Sequence, residues 1–148
     1  KQFGMEYVDT DGQKKTPYII HRTSLGCYER TLAYLLEEYA GALPTWMAPE
    51  QVRILTITDR VNDYAYSLQK KLCDIGFRAE VDDRNEKIGK KIREGQIEKI
   101  PYMLVLGDKE AEAGQVAVRH RAEGDLGVMS ADAFTALLHE VVDTKAKK

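Results

Sequence analysis

Pro101-Tyr102-Met103-Leu104-Val105-Leu106-Gly107 is apolar almost without a break. A strand with one wet face alternates polar and apolar residues, so a continuous run predicts a strand covered on both sides of its sheet. Such strands occur in parallel sheets whose crossover helices lie on the two faces, and the flanking sequence supplies both partners. Upstream, residues 52–58 are rich in Val, Ile, Leu and Thr and stop at Asp59, as a strand would. A helix is expected over 61–75, with Tyr64, Leu68, Leu72 and Ile75 along one stripe and Gly76 as its stop. Residues 77–82 follow as a short strand, and 86–99 as a second helix with Ile88, Ile92 and Ile97 inward. Downstream, residues 115–121 set Val116 and Val118 against polar neighbours, the pattern of a less buried strand. Residues 130–142 close as a helix, with Ser130 as N-cap and Phe134, Leu137, Leu138 and Val141 inward. Residues 51–148 therefore read β-α-β-α-β-β-α, an α/β domain with a largely parallel sheet.

The first forty residues have a different grammar. Residues 2–22 read as a hairpin: an extended run near residues 5–8, a turn at Asp9-Thr10-Asp11-Gly12, and a second strand at Pro17-Tyr18-Ile19-Ile20-His21-Arg22. A helix over 29–39 places Leu32, Leu35, Leu36 and Tyr39 on one face, and Gly41 suits its end. Ala42-Leu43-Pro44-Thr45-Trp46-Met47-Ala48-Pro49 suits neither helix nor strand, which puts a linker at 42–50 between a piece at 1–41 and a domain at 51–148. Residues 145–148 read as a solvated tail.

With 148 residues, 43% apolar and 31% charged, the chain has the balance of a globular protein with room for one domain and part of another. Its 22 basic and 24 acidic residues leave a net charge of −2. That excludes a polycation, so any nucleic-acid contact must come from a local basic face. No apolar run approaches the ~18 residues of a membrane span, and the charged N-terminus is unlike a secretory signal. Cys27 and Cys73 fit no metal-like spacing and read as reduced thiols, which points to the cytoplasm. A chain that opens at Lys1 also reads as a piece of something longer.

Enzymatic motifs are missing from 51–148. Where a dinucleotide fold would place G-x-G-x-x-G, Thr56-Ile57-Thr58-Asp59-Arg60 stands instead; there is no Walker loop and no G-x-S-x-G. His120 and His139 read as surface or helix-face residues. The informative stretch is Asp82-Asp83-Arg84-Asn85-Glu86-Lys87-Ile88-Gly89-Lys90-Lys91-Ile92-Arg93, which from Arg84 onward holds five basic residues against one acid. A charge run is usually a solvated helix face. Here Asn85 can meet a base edge, and a helix N-terminus can hold a phosphate. Lys109-Glu110 and Arg119-His120-Arg121 are expected to emerge at the same crevice at the strand ends. Together these side chains predict recognition of a splayed single-stranded base. The competing class is a flavodoxin-like small-molecule-binding domain.

The strings Gly26-Cys27-Tyr28-Glu29-Arg30, Pro44-Thr45-Trp46-Met47-Ala48-Pro49, Asp83-Arg84-Asn85-Glu86-Lys87-Ile88-Gly89 and Gly107-Asp108-Lys109-Glu110, with the 17–22 segment, resemble the C-terminal part of bacterial-type threonyl-tRNA synthetases. The prolyl, histidyl and glycyl enzymes share the Asp83–Gly89 string more loosely. The resemblance implies that 1–41 is the end of a class II catalytic domain with its third signature motif. It implies that 51–148 is an anticodon-binding domain with a five-stranded mixed sheet flanked by helices. In the full enzyme, which uses zinc and Mg-ATP and forms a homodimer, Arg30 would contact ATP and His21 would be one of three zinc ligands. The fragment alone would hold no cofactor, catalyse nothing, and be expected as a monomer. Its partner would be the anticodon loop of tRNA(Thr). The resemblance assigns base contacts to Asn85, Arg93, Glu110 and Arg119, while Lys87, Lys90 and Lys109 are cast as phosphate contacts. The family usually has serine where Cys27 stands, which weakens any hydroxyl contact there.

Overall fold

The apolar run forms the central strand of a five-stranded sheet. A computed structural model describes residues 3–22 and 26–146, which fall into two compact units, one ending at Leu32 and the other beginning at Ala33.

In the first unit, β1 (Tyr7–Val8) pairs antiparallel with β2 (Lys14–Lys15). The turn between them is held by Asp9, which accepts from the Thr10 amide at 2.7 Å, and by Gly12 N donating to Asp9 O at 2.8 Å. Lys15 adds ion pairs to Asp9 and Asp11. This tight turn brings Lys14 opposite Val8, so the returning strand is over before Pro17. Residues 17–22, the expected second strand, are extended coil with Tyr18, Ile19 and Ile20 exposed. The expected hairpin start at Gln2 and the last two residues of the expected tail lie outside the described residues.

Helix α1 (Tyr28–Glu38) ends in a left-handed turn: Gly41, at φ 77°, donates its N–H to Leu36 O at 2.8 Å. The proline-containing segment after it is strapped down rather than loose. Thr45 and Ala48 are buried, and the Gln51 amide donates to Thr45 O at 3.0 Å while accepting from Arg78 N at 2.9 Å. The Arg78 guanidinium donates to Ala48 O and Trp46 O.

The sheet contains β3 (Val52–Thr56), β4 (Ala79–Asp82), β5 (Tyr102–Leu106), β6 (Gln115–His120) and β7 (Gly124–Ser130), in the order β4-β3-β5-β6-β7. Helices α2 (Asn62–Asp74) and α3 (Ile88–Ile97) make the two crossovers that keep β4, β3 and β5 parallel. Between β5 and β6 there is only the six-residue α4 (Asp108–Ala113). A parallel return needs a dozen residues or more, so β6 turns back antiparallel to β5, and β7 antiparallel to β6. Gly114, at φ 63°, supplies the reversal. The sheet is therefore mixed rather than largely parallel, and the all-parallel flavodoxin-like alternative does not describe it. Helix α5 (Ala131–Asp143) closes the chain with Ser130 Oγ accepting from Ala133 N at 3.1 Å.

Strand alternation assigns the two faces. Val52, Ile54, Leu104, Leu106, Val116 and Val118 pack under α2 and α5 with Leu68, Leu72, Phe134 and Leu138. The opposite face carries Leu55 and Met103 under α3, with Ile88 and Ile92 packed against them. Ile75 and Ile97, expected inward, are exposed. Lys91 and Gly95 take the inner side of α3 instead. Among the described residues, no helix is long and apolar enough to cross a membrane.

Candidate nucleic-acid interface

The Arg84–Arg93 run offers less charge to a ligand than its sequence suggests. Arg84 grips Asp82 through Nε and Nη2 at 2.9 and 2.7 Å, and its Nη2 also reaches Glu94 Oε2 at 2.7 Å. This ion pair raises the arginine further above its ordinary value and holds the Asp82 carboxyl below the usual carboxylate range, against the effect of its burial. Lys90 pairs with Glu86 at 2.6 Å on the surface. Lys91 is 1% exposed and donates to two backbone carbonyls, Thr56 O and Asp82 O, each at 2.9 Å. Lys87 and Arg93, both exposed, form no ion pair among the described residues.

Helix geometry then orients Arg93. Glu94 reaches toward β4, since it meets Arg84 beside Asp82. Arg93 stands roughly 160° around the helix from the inner Lys91 and Gly95, on the outward side of α3 and away from Glu94's β4 flank. Arg119 faces the α3 side of the sheet: its register partner Met103 points under α3, and residues opposite one another across a ladder share a face. Among the described residues, no helix packs on that face beyond Met103. Val105, Ala117 and Arg119 are half-buried there and Val128 is 54% exposed, making a short aliphatic floor with Arg119 at its edge.

Asn85 and Lys87 sit in the exposed loop from β4 into α3, at the C-terminal end of the parallel strands. Lys109 and Glu110 lie on α4, after the C-terminal end of β5. Glu110 is the third residue of that helix, and its Oε2 accepts from Gly107 N at 3.0 Å, capping the first turn. Arg119 is not at this rim. Because β6 runs backward, it lies beside Met103, toward the start of β5. Its acidic neighbour is Asp125 of β7 at 3.8 Å, not Glu110. The expected meeting of four polar side chains at one strand-end crevice is thus replaced by a diagonal: Asn85 and Glu110 at the C-terminal rim, with Arg93 and Arg119 on the α3-side face behind it.

Residues 51–141 match the family model described as "Anticodon binding domain". The chain belongs to the anticodon-binding domain family. It is 54% identical over 99% of its length to a threonine–tRNA ligase of Clostridium botulinum, and 55% identical over 93% of its length to one from Halorhodospira halophila. It spans 23% and 21% of those relatives, less than a quarter of either. The RNA binding domain of threonyl-tRNA synthetase from Cryptosporidium parvum Iowa II superposes with a TM-score of 0.75 at 34% identity, over 95% of this chain and 36% of that one.

Two basic residues next to the candidate Arg119, His120 and Arg121, are structural. Arg121 lies at the far end of the sheet, where its guanidinium donates to Lys99 O at 3.1 Å and Ala42 O at 2.9 Å, strapping the proline-containing segment down. His120, expected on the surface, is 4% exposed, packs on Tyr102 at 4.9 Å and accepts from Glu123 N at 3.3 Å through Nδ1. Its even position beside Val116 and Val118 was the available signal. In the first unit, His21 is exposed in coil and Arg30 is exposed on α1. Among the described residues no three His, Cys, Asp or Glu are grouped to ligate an ion, so the residues here do not assemble a zinc site around His21. Cys27 and Cys73 are free thiols.

Proposed function

We propose that the chain is the tRNA-reading part of a cytoplasmic threonine–tRNA ligase and recognises the anticodon loop of tRNA(Thr). In this reading residues 1–41 are the end of the catalytic domain, 42–50 the connection and 51–148 the reader. The observation that carries it is the uncovered sheet face edged by Arg119, with Arg93 on the outward side of α3 beside it. An unstacked nucleotide can lie flat on Val105, Ala117 and Val128 while the two guanidinium groups reach its edge or its phosphate. Asn85 and Glu110 meet the neighbouring nucleotide at the rim. Glu110 leaves its cap to do so, exchanging one amide hydrogen bond for a base donor. Lys87 and Lys109 contact phosphates; Lys90 joins them by releasing Glu86, at small cost because exposed ion pairs contribute little.

The ligase chemistry belongs to the longer protein, which couples threonine to ATP and then to the tRNA 3′ end as a homodimer. Arg30 would meet ATP there. His21 would enter a zinc site there only with ligands supplied from elsewhere in that protein.

Anticodon stem-loops that differ at the second or third anticodon base, titrated by fluorescence anisotropy, test the reading and separate it from a prolyl, histidyl or glycyl specificity. Asn85→Ala and Arg119→Ala each weaken the threonine stem-loop by about tenfold or more and the altered ones much less, since a good base contact contributes roughly 1–3 kcal/mol of discrimination. Lys90→Ala weakens all of them alike. Equal losses in all three variants would reduce the binding to charge attraction.

A further inference from the structure

The buried lysine is the least expected feature of the reader. Thr56 and Asp82 are the last residues of β3 and β4. The Lys91 ammonium bridges their carbonyls at 2.9 Å each and stands 3.9 Å from Asp82 Oδ1. Lys91 belongs to the first turn of α3, where its amide donates to Lys87 O. Both ends of the 83–87 loop, the end of β4 and the start of α3, are therefore tied to one ammonium. Arg84, inside the loop, is tied from the outside to the same Asp82 and to Glu94 further along α3. Asp83 accepts from the Tyr66 hydroxyl at 2.8 Å and Glu86 pairs with Lys90, so Asn85, at the tip, and Lys87 are left to project from this frame. Taking an ammonium out of water is costly unless it is fully hydrogen-bonded, and an apolar side chain would fill the same space. The site therefore fits a positional role better than a purely stabilising one.

We propose that the Lys91–Asp82–Arg84 clamp is a positioning device that fixes Asn85 for base discrimination. The proposal rests on the anticodon reading above. Lys91 touches no RNA; it sets the geometry of the loop that does. Arg119 stands on β6, two strands away from β3, and does not depend on the clamp.

The test is a double-mutant cycle on the whole chain, with Lys91→Met and Asn85→Ala alone and together. Arg84→Met, at a half-exposed position, serves as a second probe of the clamp that leaves the buried ammonium in place. Each is titrated with the threonine stem-loop and with stem-loops altered at the second or third anticodon base. Lys91→Met is expected to lose most of the discrimination at the base that Asn85→Ala loses, and to keep it at the base that Arg119→Ala loses. It adds less than about twofold in the Asn85→Ala background, and binding to altered stem-loops changes by less than about twofold. Arg84→Met shows the same pattern in weaker form and decides the matter if Lys91→Met does not fold. A folded Lys91→Met that retains discrimination while Asn85→Ala has lost it overturns the clamp alone. Equal loss at both bases also overturns it, since that is the mark of general destabilisation. A wild-type chain without discrimination overturns the anticodon reading and the clamp with it.

Discussion

Asp82 is the residue on which Arg84 and Lys91 converge. It is 8% exposed, paired with Arg84 and close to Lys91, and its carboxyl is held below its ordinary value of 3.8 chiefly by the Arg84 hydrogen bonds. A carboxylate with a depressed folded value stabilises the fold fully above the unfolded value, and that contribution is lost as pH falls through the folded one. Asp82→Asn should therefore lower Tm at pH 7 and flatten its decline between about pH 5 and pH 2. Tm measured across that range by circular dichroism checks this, and parallel pH profiles would remove Asp82 from the acid response. Lys91 illustrates what a single residue's letter conceals. In the sequence it is one more cation in a basic run; in the fold it is the helix's inner side chain, because α3 presents positions 88, 91, 92 and 95 to the sheet. The 3.6-residue period already places 91 beside 88, 92 and 95, but hydrophobic patterning gives a lysine no weight there.

Among the elements, α3 is set closest to the sheet at Gly95. A Cβ there would stand 2.6 Å from Met103 Sδ, and Met103 is 1% exposed. Helix propensity alone favours Gly95→Ala by about 1 kcal/mol, whereas overpacking a close-fitted core costs about 1–3 kcal/mol. Packing should win, with Gly95→Ala less stable in urea unfolding; a gain in stability would mean that Met103 moves aside freely. Elements with a strong period were legible: β3 and β5 from apolar runs, α2 and α5 from their stripes, and the turn after α1 from Gly41. Two elements were not. Gly124-Asp125-Leu126-Gly127 carries no strand signal, yet it is the start of β7, because register with β6 outweighs the poor strand propensity of glycine. Asp108-Lys109-Glu110-Ala111-Glu112-Ala113 is too short and polar to show a helical stripe, so α4 was invisible. With α4 unseen, the backward course of β6 was unseen too, and Arg119 was placed at the wrong end of the sheet. The candidate side chains were legible from family likeness; their arrangement depended on a strand direction that no side-chain pattern encodes.

At the scale of the molecule, both apolar clusters draw only on residues 52–142. A chain beginning at Ala33 should keep the whole of that core, so its Tm should fall by no more than a few degrees and its stem-loop affinity should stay within about twofold. Loss of folding in that shortened chain, seen in the amide NMR spectrum, would show that the first unit contributes to the reader's stability. The net charge of −2 and the internal pairing of Arg84, Lys90 and Lys91 bear on the response to salt. With Lys87, Lys109, Arg93 and Arg119 offered and Lys90 released from Glu86, about five phosphates at most are neutralised, and log K against log salt should slope no more steeply than about −3.5 for a single-stranded loop. A slope near −6 would require a second basic surface.

The brevity of α4 reaches beyond topology. Had that connection been long enough to cross the sheet, it would have roofed β6 and β7 as α3 roofs β3 and β5. Six residues cannot, so half of one side stays unroofed as a by-product of economy in the chain. The open face is thus inherited from a missing crossover, and lengthening this one connection would close it without altering a single residue that lines it.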